Sequence, residues 1–223
     1  MIIHENMTVG EVAAAIPGAL PVFQELNVDF CCGGKKPLAD ALAERNISVQ
    51  AFLARVDEQA AARGGSEAGT QNFAQMSPAV LSYYIEDTHH DYLRRALPEI
   101  DELLVHVLRA HGGNHPELFA LYKLFGRLKS ELMQHLVKEE TLLFPALVRG
   151  ESPAAGLAEE IVEEHEGAGG LLEAMRRTAL DYKAPADACM TYRRAYELLP
   201  ELEDDLHRHI HLENNILLRG LYA

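Results

Sequence analysis

The sequence predicts an all-α fold, an antiparallel up-down four-helix bundle preceded by a small helical domain. Three observations lead there. Residues about 78–110, 116–149, 154–183 and 187–219 carry apolar side chains at the three-four spacing of a helix face. The breakers between them, HGGNHP, RGESPAAG and YKAPAD, are short, and short connections make neighbouring helices antiparallel. No segment alternates apolar and polar residues or concentrates β-branched ones as a strand would.

The small domain is expected over residues 1–62. Thr8 is placed to cap a helix through VGEVAAAIPGAL, and PVFQELNV leads into a turn at DFCCGGKK. Pro37 opens the helix PLADALAER, and Ser48 caps SVQAFLARVDEQAA. Residues 63–77, rich in Gly, Ser, Gln and Ala without periodicity, read as a linker. Ser77-Pro78, a cap followed by proline at the first helical position, starts the bundle, 78–223.

Composition narrows the function classes. The 223 residues hold 20 basic and 34 acidic side chains, a net charge of -14. Phosphate recognition needs clustered Lys and Arg, so neither nucleic acid nor an anionic membrane is an expected partner. No apolar run is long enough to span a bilayer, and MIIHENMTVGEV lacks the basic start and apolar stretch of a signal peptide. The three cysteines, Cys31, Cys32 and Cys189, are too few for a disulfide framework and suit a reducing compartment. A cytoplasmic protein is expected.

The chemistry lies on the inward stripes. His90 shares its stripe with Leu93, Leu97, Ile100 and Leu104; His135 and Glu139 fall between Leu128, Leu132 and Leu142. His165 sits between Ile161 and Ala168, Leu172 and Met175, while His209 and Glu213 fall between Leu202, Leu206 and Ile216. Six ionisable side chains aimed at one core would each cost several kcal/mol unless compensated. His135 and Glu139 are four apart, as are His209 and Glu213, so each pair shares a helix face. The segments HLVKEETLLFPAL and HIHLENNILLRGL read alike, and a lone histidine precedes each, so a helix pair is used twice. Four imidazoles and two carboxylates able to bridge imply two metal ions, with iron or manganese favoured over calcium or magnesium. A ferritin-like centre needs Glu-x-x-His twice, and only Glu86-x-x-His89 fits. His89, His207 and His211 lie off the stripes and read as exposed, as does the cluster His106, His111 and His115 at the first loop. Glu131 and Glu164 are candidates to accept the second N–H of a ligand imidazole.

These residues make the chain recognisable. HDYLRRALPEI, HLVKEETLLFP, EEHEGAGGLL and HIHLENN resemble the hemerythrin-like family. DFCCGGKKPL resembles the N-terminal domain joined to such a bundle in the repair-of-iron-centres di-iron proteins. The resemblance covers nearly the whole chain. It implies a cytosolic protein of the nitrosative and oxidative stress response that restores damaged iron–sulfur clusters. It also implies a non-haem di-iron centre on His90, His135, Glu139, His165, His209 and Glu213, bridged by an oxo or hydroxo group and by carboxylates. Glu131 and Glu164 match glutamates around that centre. Cys31 and Cys32 match a thiol pair with a redox or iron-handling role, and a Gly-Gly turn beside a helix start would depress their pKa values. One departure stands out: Leu218-Arg219 occupies the place of an aromatic–proline pair like Phe144-Pro145.

Three functions stay open at this point. The first is cluster repair, by iron donation or by reductive removal of NO, with client iron–sulfur proteins and small diatomics (NO, O2) as partners. The second is a hemerythrin-type binder or sensor of O2 or NO, and the third a di-iron oxidase or peroxidase. The vicinal thiols favour the first, and the histidine-rich ligand set disfavours the third. The assembly is expected to be a monomer or a homodimer.

Overall fold

The structure is a computed structural model in which residues 7–62 and 72–221 are described. Among them the only β feature is a single bridge between Thr8 and Pro37. Residues 63–71, most of the expected linker, lie outside the described residues, and Phe73–Gln75 form one 3-10 turn. No described helix is long and apolar enough to cross a membrane. The chain divides into two compact units, Met1–Leu81 with His207–Tyr222, and Ser82–Leu206.

In the first unit, α1 (Val9–Ala15) begins with a full capping box: Thr8 Oγ1 accepts from the Glu11 N–H, and Glu11 accepts from the Thr8 N–H. α2 (Leu20–Glu25), α3 (Leu38–Ala43) and α4 (Val49–Ala62) follow. Pro37 is the cap of α3 rather than its first residue, and Ser48 Oγ accepts from the Ala51 N–H to start α4. Such short helices are unstable alone and are held by a shared core. Phe23 stacks on Phe52 at 4.8 Å between ring centroids, with Val9, Val12, Phe30, Leu38 and Leu42 around them. Ile210, from the end of the chain, belongs to the same core.

α5 (Pro78–Ile85) begins in the first unit and continues into the second, where it leads into α6 (Asp91–His111). α6, α7 (Glu117–Lys138), α9 (Leu157–Thr178) and α10 (Met190–Leu212, which runs on into the first unit) supply one apolar core, with the short α8 (Phe144–Val148) after α7. The core is built from Leu93, Leu97 and Ile100 of α6, Phe125 and Leu128 of α7, Leu172 and Met175 of α9, and Leu199, Leu202 and Leu206 of α10, all fully buried. α7 packs against both α6 and α9. α9 ends in a reversal through Leu180, Asp181 and Tyr182, all three at positive φ. That conformation costs non-glycine residues roughly 1–2 kcal/mol each. Burial of the Tyr182 ring, with the Arg176 guanidinium 5.8 Å from its centroid, opposes the cost.

Three π-helical turns interrupt the helical register, at Glu86–His90, Glu139–Leu143 and Glu213–Leu217. Each inserts a residue and rotates the downstream side chains toward the next position. Leu142, expected inside, is therefore 56% exposed while Leu143 is fully buried. After the third turn Leu217 is buried and Ile216 only partly so.

The Cys-Cys-Gly-Gly turn is held inside the first unit. Asn215 Nδ2 donates to the Phe30 carbonyl at 3.0 Å. A Cβ on Gly34 would meet the Asn215 amide oxygen at 2.6 Å, and one on Gly10 would press on the same oxygen and on the Gly34 carbonyl. Gly10→Ala is therefore expected to lower unfolding stability by about 1–3 kcal/mol through overpacking. An unchanged denaturation midpoint would show that Asn215 gives way freely.

Candidate metal centre

The π turns deliver the ionisable side chains. His90 closes the first, Glu139 opens the second one helical turn after His135, and His165 comes from the middle of α9. All four are at most 3% exposed. Within Ser82–Leu206 they converge on one carboxylate: His90 Nε2 lies 3.4 Å and His135 Nε2 3.3 Å from Glu139 Oε2. His165 Nε2 lies 3.0 Å from His135 Nε2.

The outward nitrogens are engaged by carboxylates. His90 Nδ1 lies 2.7 Å from Glu140 Oε1, and His135 Nδ1 lies 2.7 Å from Glu164 Oε2. Each carboxylate is backed by a cation, Arg94 at Glu140 and Lys138 at Glu164. Lys138 also pairs with Glu160 at 2.6 Å. The His135 hydrogen bond, reinforced by Lys138, pulls the Glu164 carboxyl down to about 2 against the opposing effect of burial. The His90 ring stacks on Phe144 at 5.5 Å, which fixes its plane.

With Nδ1–H donated outward, Nε2 of His90 and of His135 presents a lone pair inward. The His135 lone pair faces His165 Nε2 at 3.0 Å and the Glu139 carboxylate at 3.3 Å, so a proton or a cation belongs between them. Metal–nitrogen bonds of about 2.1 Å at right angles put neighbouring donors about 3 Å apart. Buried imidazoles around a buried carboxylate thus fit a first-row transition metal, and calcium or magnesium would call for oxygen donors.

His209 and Glu213 lie in the first unit, at the end of α10 and the start of the third π turn. Both are at most 1% exposed, with His209 Nε2 3.1 Å from Glu213 Oε1, and so repeat the His135–Glu139 arrangement. Beside them Asn214 Nδ2 reaches the Cys31 carbonyl at 3.5 Å.

Several sequence expectations need correction. Glu131 is solvent-exposed and paired with Arg127 at 2.7 Å, so it takes no ligand imidazole. Its place is filled by Glu140, which sequence reasoning missed because the π turn, invisible in the pattern, swings the residue after Glu139 toward His90. His89 is buried, with Nδ1 2.9 Å from Asp205, and His211 is buried against Phe30. Burial pushes the His211 imidazole down to about 4, so it is neutral near pH 7.

The thiols also differ from expectation. The N–H groups of Cys31, Cys32 and Gly33, which would have stabilised a thiolate, all donate to the Asp29 carboxylate at 3.0, 2.9 and 2.8 Å. Cys31 is buried, and the neighbouring Cys32 thiol 3.7 Å away, burial and the Asp29 charge all push its pKa up. Cys32 is half-buried.

Comparison with known proteins agrees with this geometry. Residues 81–221 match the Hemerythrin HHE cation binding domain, and residues 5–60 match a "Domain of Unknown function (DUF542)". The chain is 36% identical to the iron-sulfur cluster repair protein YtfE of Musicola paradisiaca, covering 97% of this chain and 98% of that one. It is 30% identical to the iron-sulfur cluster repair protein ScdA of Staphylococcus haemolyticus, with 97% and 98% covered. The chain belongs to the hemerythrin HHE cation-binding family, in its repair-of-iron-centres branch with the additional N-terminal domain.

Removing a carboxylate that holds a ligand imidazole typically costs about 10–100-fold in metal affinity. Glu140→Gln and Glu164→Gln are each expected to lose about that much, read by competition with a chelator, with helix content unchanged. Affinities equal to wild type would remove both residues from the centre.

Proposed function

We propose that His90, His135, Glu139, His165, His209 and Glu213 hold two iron ions, with Glu139 and Glu213 as the carboxylates shared between them. The observation that carries this reading is the convergence of His90, His135 and His165 on Glu139, with outward nitrogens of His90 and His135 already committed to Glu140 and Glu164. The second His-x3-Glu pair, equally buried and followed by the same π turn, supports a second ion. When bound, iron supplies reversible redox chemistry and exchangeable positions for small diatomics such as NO or O2. The protein's own work is to hold the imidazole lone pairs inward, through Glu140 and Glu164, and to keep bulk water from the donors by burial.

The function is repair of iron–sulfur clusters damaged by nitrosative or oxidative stress, in the cytoplasm, with damaged iron–sulfur proteins as clients. The names of the full-length relatives support it, and so does a thiol pair for which a simple carrier has no use. Iron donation and NO reduction are both within the chemistry of such a centre. Cys32, the more accessible thiol, is the one suited to meeting a client or transferred iron.

The test begins with elemental analysis after anaerobic purification, where two irons per chain are expected. Glu139→Leu and Glu213→Leu should each abolish the paired centre, and normal iron loading in either would overturn the bridging assignment. Protein loaded with isotopically labelled iron should then pass label to a damaged client, or yield nitrous oxide from NO. A stable reversible O2 adduct with neither activity would instead make it an oxygen-binding protein. Cys31→Ala with Cys32→Ala should depress transfer while leaving iron content intact.

A further inference from the structure

We propose that His111, His115 and Asp187 form a second metal site, for a divalent ion of the zinc class, at the end of α6 opposite His90. The site lies wholly within Ser82–Leu206. α6 is 21 residues long, which at about 1.5 Å per residue separates the two sites by about 30 Å.

The chain builds the site from two segments. His111 closes α6, and its carbonyl accepts from the N–H groups of Asn114 and His115 at 2.9 Å each, so helical winding continues one more turn. Two histidines four apart on such a turn present their rings on the same side. Asp187 comes from the turn ahead of α10, where the Ala188 N–H donates to the Pro185 carbonyl at 3.0 Å. One ligand atom from each of the three lies within 4.8 Å of the others.

The hydrogen bonding at His115 repeats that of His135. Its Nδ1 lies 3.0 Å from Glu117 Oε1, and its Nε2 lies 3.1 and 3.2 Å from the two oxygens of Asp187. An N–H donated to Glu117 leaves the Nε2 lone pair facing a carboxylate, an arrangement that requires a proton or a cation between them. Tyr192 forms the floor, with ring centroids 5.3 Å from His111 and 5.7 Å from His115, and limits rotation of both imidazoles. Two imidazoles with one carboxylate select borderline transition ions over calcium or magnesium. The bound ion joins the end of α6 to the entry of α10 and acts as a clip on that end of the helices.

The test uses the full-length, iron-loaded protein dialysed against zinc, with zinc per chain measured in wild type, Asp187→Asn and His115→Gln. Wild type is expected to take up one zinc more than either variant, and zinc should raise the Tm of wild type only. Glu117→Gln should weaken this uptake about tenfold, because Glu117 orients the ring without ligating. Zinc should also shift the imidazole NMR signals of His111 and His115. Cys189→Ser is the control for an exposed thiol two residues beyond Asp187 and should behave as wild type. Equal zinc uptake by wild type and Asp187→Asn, or loss of uptake in Cys189→Ser alone, would overturn the proposal. Because the comparison is a difference between variants, it does not depend on which metal the Glu139 centre holds.

Discussion

The buried carboxylate of Glu139 is the constraint around which the second unit is organised. Its side chain is fully buried, as is His90, and His135 and His165 are nearly so. Ionisable groups at that depth are tolerated only when each is matched in charge and hydrogen bonding. The structure arranges the match in concentric layers. Imidazole lone pairs face the centre, Glu140 and Glu164 hold outer imidazole nitrogens, and Arg94 and Lys138 balance those carboxylates at the periphery. A cation at the centre completes the alternation of sign. The layers also divide labour along the helices, since Phe125, Leu128, Leu172, Leu199 and Leu202 belong to a largely apolar core that carries stability away from the ionisable groups.

The element pattern and the identity of the inward histidines were legible in the sequence because helical period and burial go together. The apolar positions of α6, α7, α9 and α10 are those the stripe selects. Much of the illegible part has one physical cause. A π turn leaves no sequence signature in a periodicity count, yet it shifts the phase of every residue after it. Leu143 replaces Leu142 inside, Leu217 is buried more deeply than Ile216, and Glu140 faces His90 where Glu131 had been expected near the centre. His89 and His90 illustrate the same point. A regular helix separates consecutive side chains by about 100°, but both are buried, one on Asp205 and one on Glu140.

Side-chain electrostatics at the cysteine turn was the other feature beyond a sequence reading. Vicinal thiols beside a Gly-Gly turn suggest free N–H donors and hence a stabilised thiolate. Asp29 occupies those donors and brings its own negative charge, so Cys31 is held as a thiol. Two cysteines adjacent in sequence are thereby made unequal, one buried and protonated, the other half-buried. That inequality leaves Cys32 as the more accessible thiol of the pair.

The departure of the second His-x3-Glu repeat from the first has a structural explanation. After Glu139 the chain continues into Phe144-Pro145, and Phe144 is used to fix the His90 ring. The corresponding residues after Glu213 are Leu218 and Arg219, and they serve the first unit instead. Leu218 is fully buried, and Arg219 pairs with Glu11 of α1 at 3.2 Å. Asn214 and Asn215, directly after Glu213, reach the carbonyls of Cys31 and Phe30. The first repeat thus uses its downstream residues to orient an imidazole. The second uses them to seat the cysteine turn, with Gly10 and Gly34 kept small to admit Asn215. The two repeats can diverge in this way because the His-x3-Glu spacing is set within one helix face, while the turn after it packs against whatever surrounds it, His90 in one case and the cysteine turn in the other.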